Sequence, residues 1–303
     1  MIQILEKEKA RCVWDSSVLS LSNPTYYQSY NYSQICKGNA DIEYIYKKNI
    51  LGQIDIMGFV KIDDSKVTIP FGPIFAASVS FIEVMEFIND IRKHYNKPVT
   101  FSLPKEFVDE QHILEYNLSK GWCFVTPLVD TNKTIEMIVK GCNENRRRII
   151  RKVLQNISQD SIRNGAQYLE SFIELYARRM QETDGEMDLS LDLLDKMLAY
   201  DNTQLTVCMD RDRVIAGSVT FEFGNTLITR FNCYDSEYHK LSPIARIDYE
   251  LLKYASLKDG IDYYDMSGLA EGTEISDKQR NLNRYKLSYR PSKVNTYQWY
   301  RHN

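Results

Sequence analysis

The sequence has 303 residues, 43% of them apolar and 12% aromatic, so it can form about two domains with packed cores and is not a disordered chain. Its formal charge of -3 excludes a generally polycationic protein, and any phosphate contact must come from local basic clusters. The six cysteines lack CxxC or Cys/His ligand spacing, which argues against a metal site or a disulfide framework and favours a reduced cytoplasm. No signal-peptide-like start and no run of about 18 uncharged apolar residues is present, so no transmembrane segment is predicted.

A turn-like aromatic segment, Asn-Pro-Thr-Tyr-Tyr-Gln-Ser at residues 23–29, precedes the first predicted strand. It offers Tyr26 and Gln28 as candidates for a substrate-facing surface. Because the chain contains 21 tyrosines, aromatic packing under a loop is an alternative explanation that stays open.

The rest of the first half has the pattern of strands around amphipathic helices. A helix is predicted from Phe81 to near Asn96, and a second one from Lys105 to about Lys120, where Gly121 ends it. Strand-like patterns occupy residues 41–46, 52–60, 66–69 and 98–103.

The second half contains the most informative stretch, residues 213–268. Two apolar strands, 213–223 and 226–233, flank Gly224-Asn225 and predict a two-residue hairpin. Ser242-Pro243 then begins a helix with apolar residues at helical spacing, and Gly260 ends it. A short strand follows at residues 261–266, and its connection through a helix predicts a parallel crossover.

The two halves share an order of elements, and corresponding strands lie roughly 163 residues apart, as a duplication would require. Residue identity between the halves is negligible, so coincidence of two similar α/β units stays open as an alternative. The pattern predicts domains at residues 1–132 and 133–303.

Asp265 lies near the carboxyl end of the crossover strand, where we expect the chemistry of an α/β fold. Alternation places Tyr263 and Asp265 on one face and Tyr264 on the other, so one set should line a cleft while the other packs inward. Asp265 is therefore a candidate catalytic base and Tyr264 a candidate substrate contact. A buried carboxylate that only accepts backbone N–H bonds is an equally weighted alternative for Asp265.

Two basic segments are candidates for phosphate contacts. On a helix beginning near Asn143, Arg147 and Arg151 share one face. The alternative is a solvated helix paired with the acidic run Glu182, Asp184, Glu186, Asp188, Asp192 and Asp195. The other segment, residues 280–293, interleaves basic residues with tyrosines and contains Tyr285-Lys286, although a solvated, covering tail is also open.

Several motif-bearing reactions lack support. The sequence has no GxSxG elbow, HExxH, Walker A loop or GxGxxG, and its four histidines form no cluster. No metal site is predicted.

The motifs together resemble the GNAT superfamily and, within it, the Fem-type (FemABX-like) aminoacyl and acyl transferases. They are spread over most of the chain: Pro24 to Ser29, Phe71-Gly72-Pro73, Arg146 to Lys152, Ala216-Gly217, Leu241-Ser242-Pro243, Tyr263 to Gly268 and Tyr285-Lys286. The resemblance implies an α/β fold of two tandem GNAT-like domains, each a mixed central sheet with flanking helices.

The resemblance also implies a function. An acyl or aminoacyl group would move from acyl-CoA or aminoacyl-tRNA to an amino group of a cell-envelope sugar or peptide precursor, which could be a small-molecule or lipid-linked acceptor. The aromatic-lysine pair Tyr285-Lys286 would hold the charged end of the donor together with Arg147 and Arg151, and Lys286 would also take part in catalysis. Such a transfer needs placement and oxyanion donors rather than a nucleophilic side chain.

Two features depart from the family pattern. No long heptad stretch could form a coiled-coil arm, which leaves a tRNA-dependent bridge-building role open to question. The loop at residues 234–241 lacks glycine, and Pro243 removes an N–H donor from the helix start, which weakens a pyrophosphate site for CoA. The rival hypothesis is a non-catalytic GNAT-fold module that binds a nucleotide-linked sugar.

Overall fold

The structure is a computed structural model that describes residues 2–36, 38, 40–183, 185, 187–271 and 275–301. The chain forms two compact units, Met1–Phe124 with Asn295–Asn303, and Val125–Val294. The C-terminal residues, which the sequence analysis assigned to the second half, group with the first unit because Thr296 to Arg301 pair antiparallel with residues 99–104. The two duplicated domains with a boundary after residue 132 stay a prediction.

The first unit contains a mixed sheet. Only the pairing of β4 with β6 is parallel, and the other described pairings are antiparallel. Its strands are β1 (Gln3–Leu5), β2 (Asp41–Lys48), β3 (Ile54–Ile62), β4 (Val67–Thr68), β5 (Ile74–Phe75), β6 (Val99–Pro104), the start of β7 (Leu118–Asp130) and the end of β13 (Ser292–Arg301).

The main helix of this unit is α3 (Phe81–Tyr95), which buries its apolar face on the sheet. A capping box of Ser80 and Glu83 begins the helix, and Asn96 in the left-handed conformation ends it, as predicted. The other helices are α1 (Lys7–Leu19), α2 (Tyr30–Cys36) and α4 (Glu110–Glu115).

The predicted helix from Lys105 to Lys120 is wrong. Residues 105–107 form a 3-10 turn, α4 spans only six residues, and Asn117 with φ +48° turns the chain into β7. Gly121 lies inside that strand, where a Cβ atom would meet the ring of Tyr300 at 2.4 Å. The glycine therefore permits close approach of another strand rather than ending a helix.

The second unit also contains a mixed sheet, whose one parallel described pairing joins β11 and β12. Its strands are the end of β7, β8 (Ile162–Asn164), β9 (Thr203–Asp210), β10 (Arg213–Phe223), β11 (Thr226–Tyr234) and β12 (Tyr263–Asp265). The predicted hairpin, with Gly224 at φ +58°, and the predicted parallel crossover are confirmed.

The helices of this unit pack on that sheet, and α9 is central among them. Pro243 occupies the first turn of α9, and Ile247, Leu251 and Ala255 bury its apolar stripe in the core. The predicted basic helix is confirmed as α6, which Asn143 caps. The helices are α5 (Ile135–Gly141), α6 (Glu144–Asn156), α7 (Leu169–Glu182), α8 (Leu191–Leu198), α9 (Pro243–Leu257) and α10 (Asp277–Leu287).

Among the described residues, no helix has both the length and the apolar character needed to cross a bilayer. Each of the six cysteines, all in the described part of the chain, is a free thiol.

Candidate active site

The candidate site lies in the second unit, where β12 ends beside β11. The three residues of β12 pair with residues 226–228, and β11 then continues to Tyr234 with β10 as its strand partner on the other side. Past the end of β12, the second half of β11 therefore has a strand edge that β12 does not cover. Ser267 contacts the beginning of this edge, because the Ser267 hydroxyl donates to the carbonyl oxygen of Thr229.

An irregularity in β11 marks the same place. Thr229 pairs with Thr220 and Phe231 with Val219, so Arg230 is an extra residue in the ladder and forms a β-bulge. A bulge changes the direction of the side chain at the extra residue, and here that side chain, Arg230, is exposed.

Lys286 of α10 reaches this edge. Its Nζ atom donates to the carbonyl oxygens of Ser267 (3.2 Å) and Gly268 (2.7 Å). The lysine is only 8% exposed, so these bonds satisfy most of a buried ammonium group. An ammonium group has three N–H donors, which leaves one for another partner.

Asp265 lies at the same edge, at the end of β12, and is 7% exposed. Its Oδ1 atom accepts the backbone N–H of Ser267 at 2.7 Å, whereas Oδ2 has no hydrogen-bond partner in the described part of the chain. Ser267 adopts φ +62°, and this turn directs its N–H to Asp265 and its carbonyl to Lys286.

The two charged groups have shifted pKa values. Burial raises the pKa of Asp265 to about 6, although the Ser267 N–H and Lys286 oppose the rise. Burial lowers the pKa of Lys286 to about 8, against the attraction of Asp265. Near neutral pH the site therefore holds a carboxylate and an ammonium that both titrate within about two units of pH 7.

A second buried carboxylate in this unit is fully engaged. Asp248 of α9 accepts hydroxyl bonds from Tyr264 (2.9 Å), Tyr285 (2.5 Å) and Tyr289 (3.2 Å). Burial raises its pKa, while the tyrosine hydroxyls and the Arg146 guanidinium oppose that rise.

Arg146 completes this cluster. Its guanidinium carbon lies 4.0 Å from the ring centroid of Tyr285 and 4.6 Å from that of Tyr289, and its Nε donates to Ser288 at 2.8 Å. We refer to Arg146, Asp248, Tyr264, Tyr285 and Tyr289 as the Asp248 cluster. It ties α6, α9, β12 and α10 together.

Two predicted site residues thus lie in the Asp248 cluster. Tyr264, the proposed substrate contact, is fully buried on the inward face of β12. Tyr285, the proposed donor contact, uses its hydroxyl on Asp248 and one ring face on Arg146. Both positions fit a structural role, and the binding roles stay predictions.

The predicted arginine pair has two different environments. Arg147 donates to the carbonyl oxygens of Lys140 (3.2 Å) and Cys142 (2.7 Å) and so caps the end of α5. Arg151 is exposed and has no side-chain partner among the described residues.

The acidic run does not neutralise this basic helix through any described contact. Glu182 pairs with Arg179 and Asp192 with Lys196, while Asp184 and Glu186 lie outside the described residues.

The predicted substrate residues of the first unit have structural contacts. Gln28 is buried, accepts the backbone N–H of Phe59 at 2.8 Å and donates to the carbonyl oxygen of Pro70. A Cβ atom on Gly72 would meet the amide nitrogen of the Gln28 side chain at 2.9 Å, so the loop at Gly72 packs directly on Gln28.

Tyr26 is buried against the rings of Tyr27 and Tyr32. This is the aromatic packing that the alternative reading expected, and the substrate roles of Tyr26 and Gln28 stay predictions.

The loop before α9 uses its polar groups internally. Asp235 accepts the N–H of Glu237 and ion pairs from Arg178 and Arg213, and the amides of Tyr238 and Ser242 donate to residues of the same loop. These amides are therefore engaged rather than free to hold a pyrophosphate.

Among the described residues, no group of three or more His, Cys, Asp or Glu side chains could hold a metal ion.

Asp248, Arg146 and Arg230 were not among the residues predicted for the site. Asp248 carried a signal, because it follows Ile244 by four residues and so lies within the apolar stripe of α9. Arg146 belongs to a run of three arginines that gives no sign of which one is buried, and a bulge at Arg230 has no sequence signature.

Comparison with known proteins agrees with this architecture. Residues 144–287 match the family model described as an acetyltransferase (GNAT) domain. FemX superposes on the whole chain with a TM-score of 0.77 at 12% identity, covering 98% of this chain and 96% of FemX. Residues 144–287 therefore match a GNAT domain, and the chain has the fold of FemX.

Two other solved structures have a similar fold. One is the C-terminal domain (DUF2156) of a candidate lysylphosphatidylglycerol synthetase from Agrobacterium fabrum, with a TM-score of 0.64 and 10% identity over 98% of this chain and 93% of that one. The other is a tandem GNAT protein from the clavulanic acid biosynthesis pathway, with a TM-score of 0.55 and 7% identity over 100% and 99%. No curated protein matches the sequence.

Proposed function

We propose that this GNAT protein is an N-acyltransferase that moves an acyl or aminoacyl group onto an amino group of a cell-envelope sugar or peptide precursor. The observation that carries the proposal is the buried pair Asp265 and Lys286 at the open edge of β11 and β12. Among the residues that the structure describes, each keeps one unused hydrogen-bonding position, the Oδ2 atom of Asp265 and one N–H of Lys286. A buried acid and base with pKa values displaced toward neutrality are typical of functional sites.

The pair fits the proton and charge movements of acyl transfer. The acceptor amine attacks the carbonyl carbon of the donor and forms the new C–N bond. The bond from that carbon to the donor sulfur or oxygen then breaks, and the leaving CoA thiolate or tRNA alkoxide receives the proton that the amine loses, by way of Asp265. Asp265, as the carboxylate, takes the proton that the amine loses, and Lys286, as the ammonium, donates a hydrogen bond to the carbonyl oxygen while negative charge develops there. No covalent enzyme intermediate is required.

The donor class is acyl-CoA or aminoacyl-tRNA. The loop before α9 offers few free amides for a CoA pyrophosphate, whereas Arg151 remains exposed for a phosphate of either donor. We propose that Lys286, Tyr285, Arg147 and Arg151 contribute to donor binding. Arg147 would have to give up its bonds to the end of α5 to do so, whereas Arg151 has no described side-chain bond to lose. The relative assigned to lysylphosphatidylglycerol synthesis supports a lipid-linked acceptor as one option. The reduced, cytoplasmic setting stays a prediction.

The rival function is a non-catalytic module that binds a nucleotide-linked sugar. The engaged amides of the loop before α9 favour this rival, because a module that transfers no acyl group needs no binding site for the pyrophosphate of a donor. The retained Asp265 and Lys286 favour transfer.

The test compares Lys286→Ala with Lys196→Ala, a surface lysine of α8 that is 68% exposed at its side chain. Both variants and the wild type are assayed for transfer from radiolabelled acetyl-CoA and from aminoacyl-tRNA to an amino-sugar nucleotide and a lysine-containing peptide. Loss of a contact to a charged group, about 1.5–3 kcal/mol, should lower transfer at least about tenfold in Lys286→Ala and leave Lys196→Ala unchanged. Equal transfer by Lys286→Ala at low and high salt would remove this site from the mechanism. Sugar-nucleotide binding without transfer by any variant would favour the rival function.

A further inference from the structure

The second half of β11 presents hydrogen-bond donors that the acyl-transfer mechanism does not use. Arg230 is exposed on the bulge, and in the described part of the chain its guanidinium forms no hydrogen bond or ion pair. Its guanidinium carbon lies 5.2 Å from the centroid of the Phe231 ring. A planar guanidinium with free N–H groups matches the paired oxygens of a phosphate or carboxylate.

Asn232, two residues further along β11, is also exposed and has a fixed orientation. Its Oδ1 atom accepts the hydroxyl of Thr229 at 3.2 Å, and Thr229 in turn is bonded to Ser218 at 2.8 Å. With its oxygen engaged, the amide group directs its Nδ2 donors away from Thr229. Bound oxyanions need such donors rather than acceptors.

Hydrogen bonds connect these donors to Lys286. The carbonyl oxygen of Thr229, the residue before Arg230, accepts the hydroxyl of Ser267, and the carbonyl oxygen of Ser267 accepts the Nζ of Lys286. Burial lowers the pKa of Lys286, and the Arg230 guanidinium adds a smaller lowering. Lys286, Asp265 and Arg230 therefore lie along the same strand edge.

The neighbouring acid on the α7 side is already engaged. Tyr176 of α7 packs against Phe231 with ring centroids 6.1 Å apart, and its hydroxyl donates to Asp188. Burial raises the pKa of Tyr176 and the Arg230 guanidinium opposes that rise, but Arg230 forms no ion pair with Asp188 among the described residues.

We propose that Arg230 and Asn232 form an oxyanion-binding site on the bulge of β11, which holds a phosphate or carboxylate group of a substrate beside Lys286. Its place beside the reacting pair rests on the proposed function, but the binding itself does not. Arg230 supplies the paired donors, Asn232 adds an oriented amide, and the open edge past β12 leaves room for the ligand.

The experiment measures binding rather than transfer. Pyrophosphate and citrate are titrated by calorimetry, at low salt, into the full chain, Arg230→Gln, Arg230→Lys and Asn232→Ala. The matched control is Arg163→Gln, because Arg163 of β8 is another exposed strand arginine of the same unit, and its one hydrogen bond among the described residues is to the adjacent Ile162 carbonyl.

We expect the dissociation constant of the preferred anion to rise by roughly tenfold to a hundredfold in Arg230→Gln, because a charge-assisted contact is lost. Arg230→Lys should show a smaller rise since it keeps the charge without the fork, Asn232→Ala should show a few-fold rise, and Arg163→Gln should match the wild type. Tighter binding of pyrophosphate supports a phosphate ligand, and tighter binding of citrate supports a carboxylate.

The proposal is overturned if neither anion binds the wild type, if Arg230→Gln binds as tightly as the wild type, or if Arg163→Gln loses as much affinity, which would indicate diffuse attraction. A failure of the proposed function shows differently, as an absence of transfer or as unchanged transfer in Lys286→Ala. Circular dichroism of each variant confirms that a lost signal does not come from unfolding.

Discussion

Two buried aspartates in the same GNAT domain show how similar burial leads to different roles. Asp248 is 1% exposed and receives three tyrosine hydroxyls, beside the stacked guanidinium of Arg146. Asp265 is 7% exposed, receives one backbone N–H and has no partner for Oδ2 within the described part of the chain. Burial raises the pKa of both. The number of satisfied oxygens, not the burial, separates a carboxylate that holds the fold from one that remains available for chemistry.

The same contrast applies to the adjacent residues Tyr285 and Lys286. One turn of α10 directs the tyrosine hydroxyl to Asp248 and the lysine to the carbonyls of Ser267 and Gly268. The Asp248 cluster thereby holds α10 in the position from which Lys286 reaches the open edge.

The largest expected effect is on stability, in Asp248→Ala. The change removes a negative charge that favours the buried Arg146 guanidinium and removes the acceptor of three tyrosine hydroxyls, so we expect a loss of about 3–5 kcal/mol in the free energy of unfolding. Urea unfolding followed by circular dichroism measures this loss. Tryptophan fluorescence would not report on the second unit, because all three tryptophans lie in the first unit. Asp192→Ala on the exposed face of α8 is the control and should change stability by less than about 0.5 kcal/mol. A loss below about 1 kcal/mol in Asp248→Ala would show that the cluster does not hold the domain together.

The next effect concerns the pH dependence of transfer. Asp265 must be ionised, so activity should fall as the pH drops below about 6, and Lys286 must be protonated, so activity should fall as the pH rises above about 8. Asp265→Asn should remove the acidic limb, and Lys286→Arg should move the alkaline limb upward. An unchanged acidic limb in Asp265→Asn would assign that limb to another group.

A smaller effect is expected for single hydroxyls of the cluster. Tyr285→Phe and Tyr264→Phe each remove one hydrogen bond to Asp248 and should cost about 0.5–1.5 kcal/mol of stability. Tyr285→Phe keeps its aromatic ring, so donor affinity measured by titration should stay at the wild-type value. A clear loss of donor affinity in Tyr285→Phe, with Tyr264→Phe unaffected, would place the Tyr285 hydroxyl in the donor site.

The smallest effect separates the two predicted arginines. Arg151→Ala should leave stability unchanged within about 0.5 kcal/mol, whereas Arg147→Ala removes the contacts that cap α5 and should cost about 0.5–1.5 kcal/mol. If Arg151 contacts a phosphate of the donor, Arg151→Ala should also weaken the salt dependence of the apparent donor affinity. A salt dependence identical to that of the wild type would exclude Arg151 from donor binding.

Local patterns were sufficient to predict the parts of the fold with strong periodicity. The hairpin at Gly224, helix α9 and the parallel crossover to β12 follow from turn chemistry and apolar spacing. The helix predicted to end at Gly121 failed because that glycine serves a close approach between strands, and such contacts between distant residues leave no local signal.

The candidate site was only partly predictable for the same reason. Asp265 followed from its place at the end of a crossover strand, and Lys286 from the family resemblance. The hydrogen bond from Tyr285 to Asp248 joins residues 37 positions apart, and the one from Arg146 to Ser288 joins residues 142 positions apart. Local propensity and spacing therefore could not predict these two contacts.

The central claim is that Asp248 is structural and Asp265 functional, and the matched pair Asp248→Asn and Asp265→Asn tests it most directly. For each variant, the free energy of unfolding at pH 7 and the transfer rate per folded molecule are measured on one preparation. Because the folded pKa of Asp265 is raised above its unfolded value of 3.8, ionisation of this group costs stability as the pH rises through about 6, and neutral Asn should not destabilise the protein at pH 7. We predict that Asp265→Asn retains its stability and loses at least about tenfold in transfer, while Asp248→Asn loses about 1–3 kcal/mol of stability and retains most of its transfer rate. The account is contradicted if Asp265→Asn transfers at the wild-type rate, or if Asp248→Asn keeps its full stability and loses transfer instead.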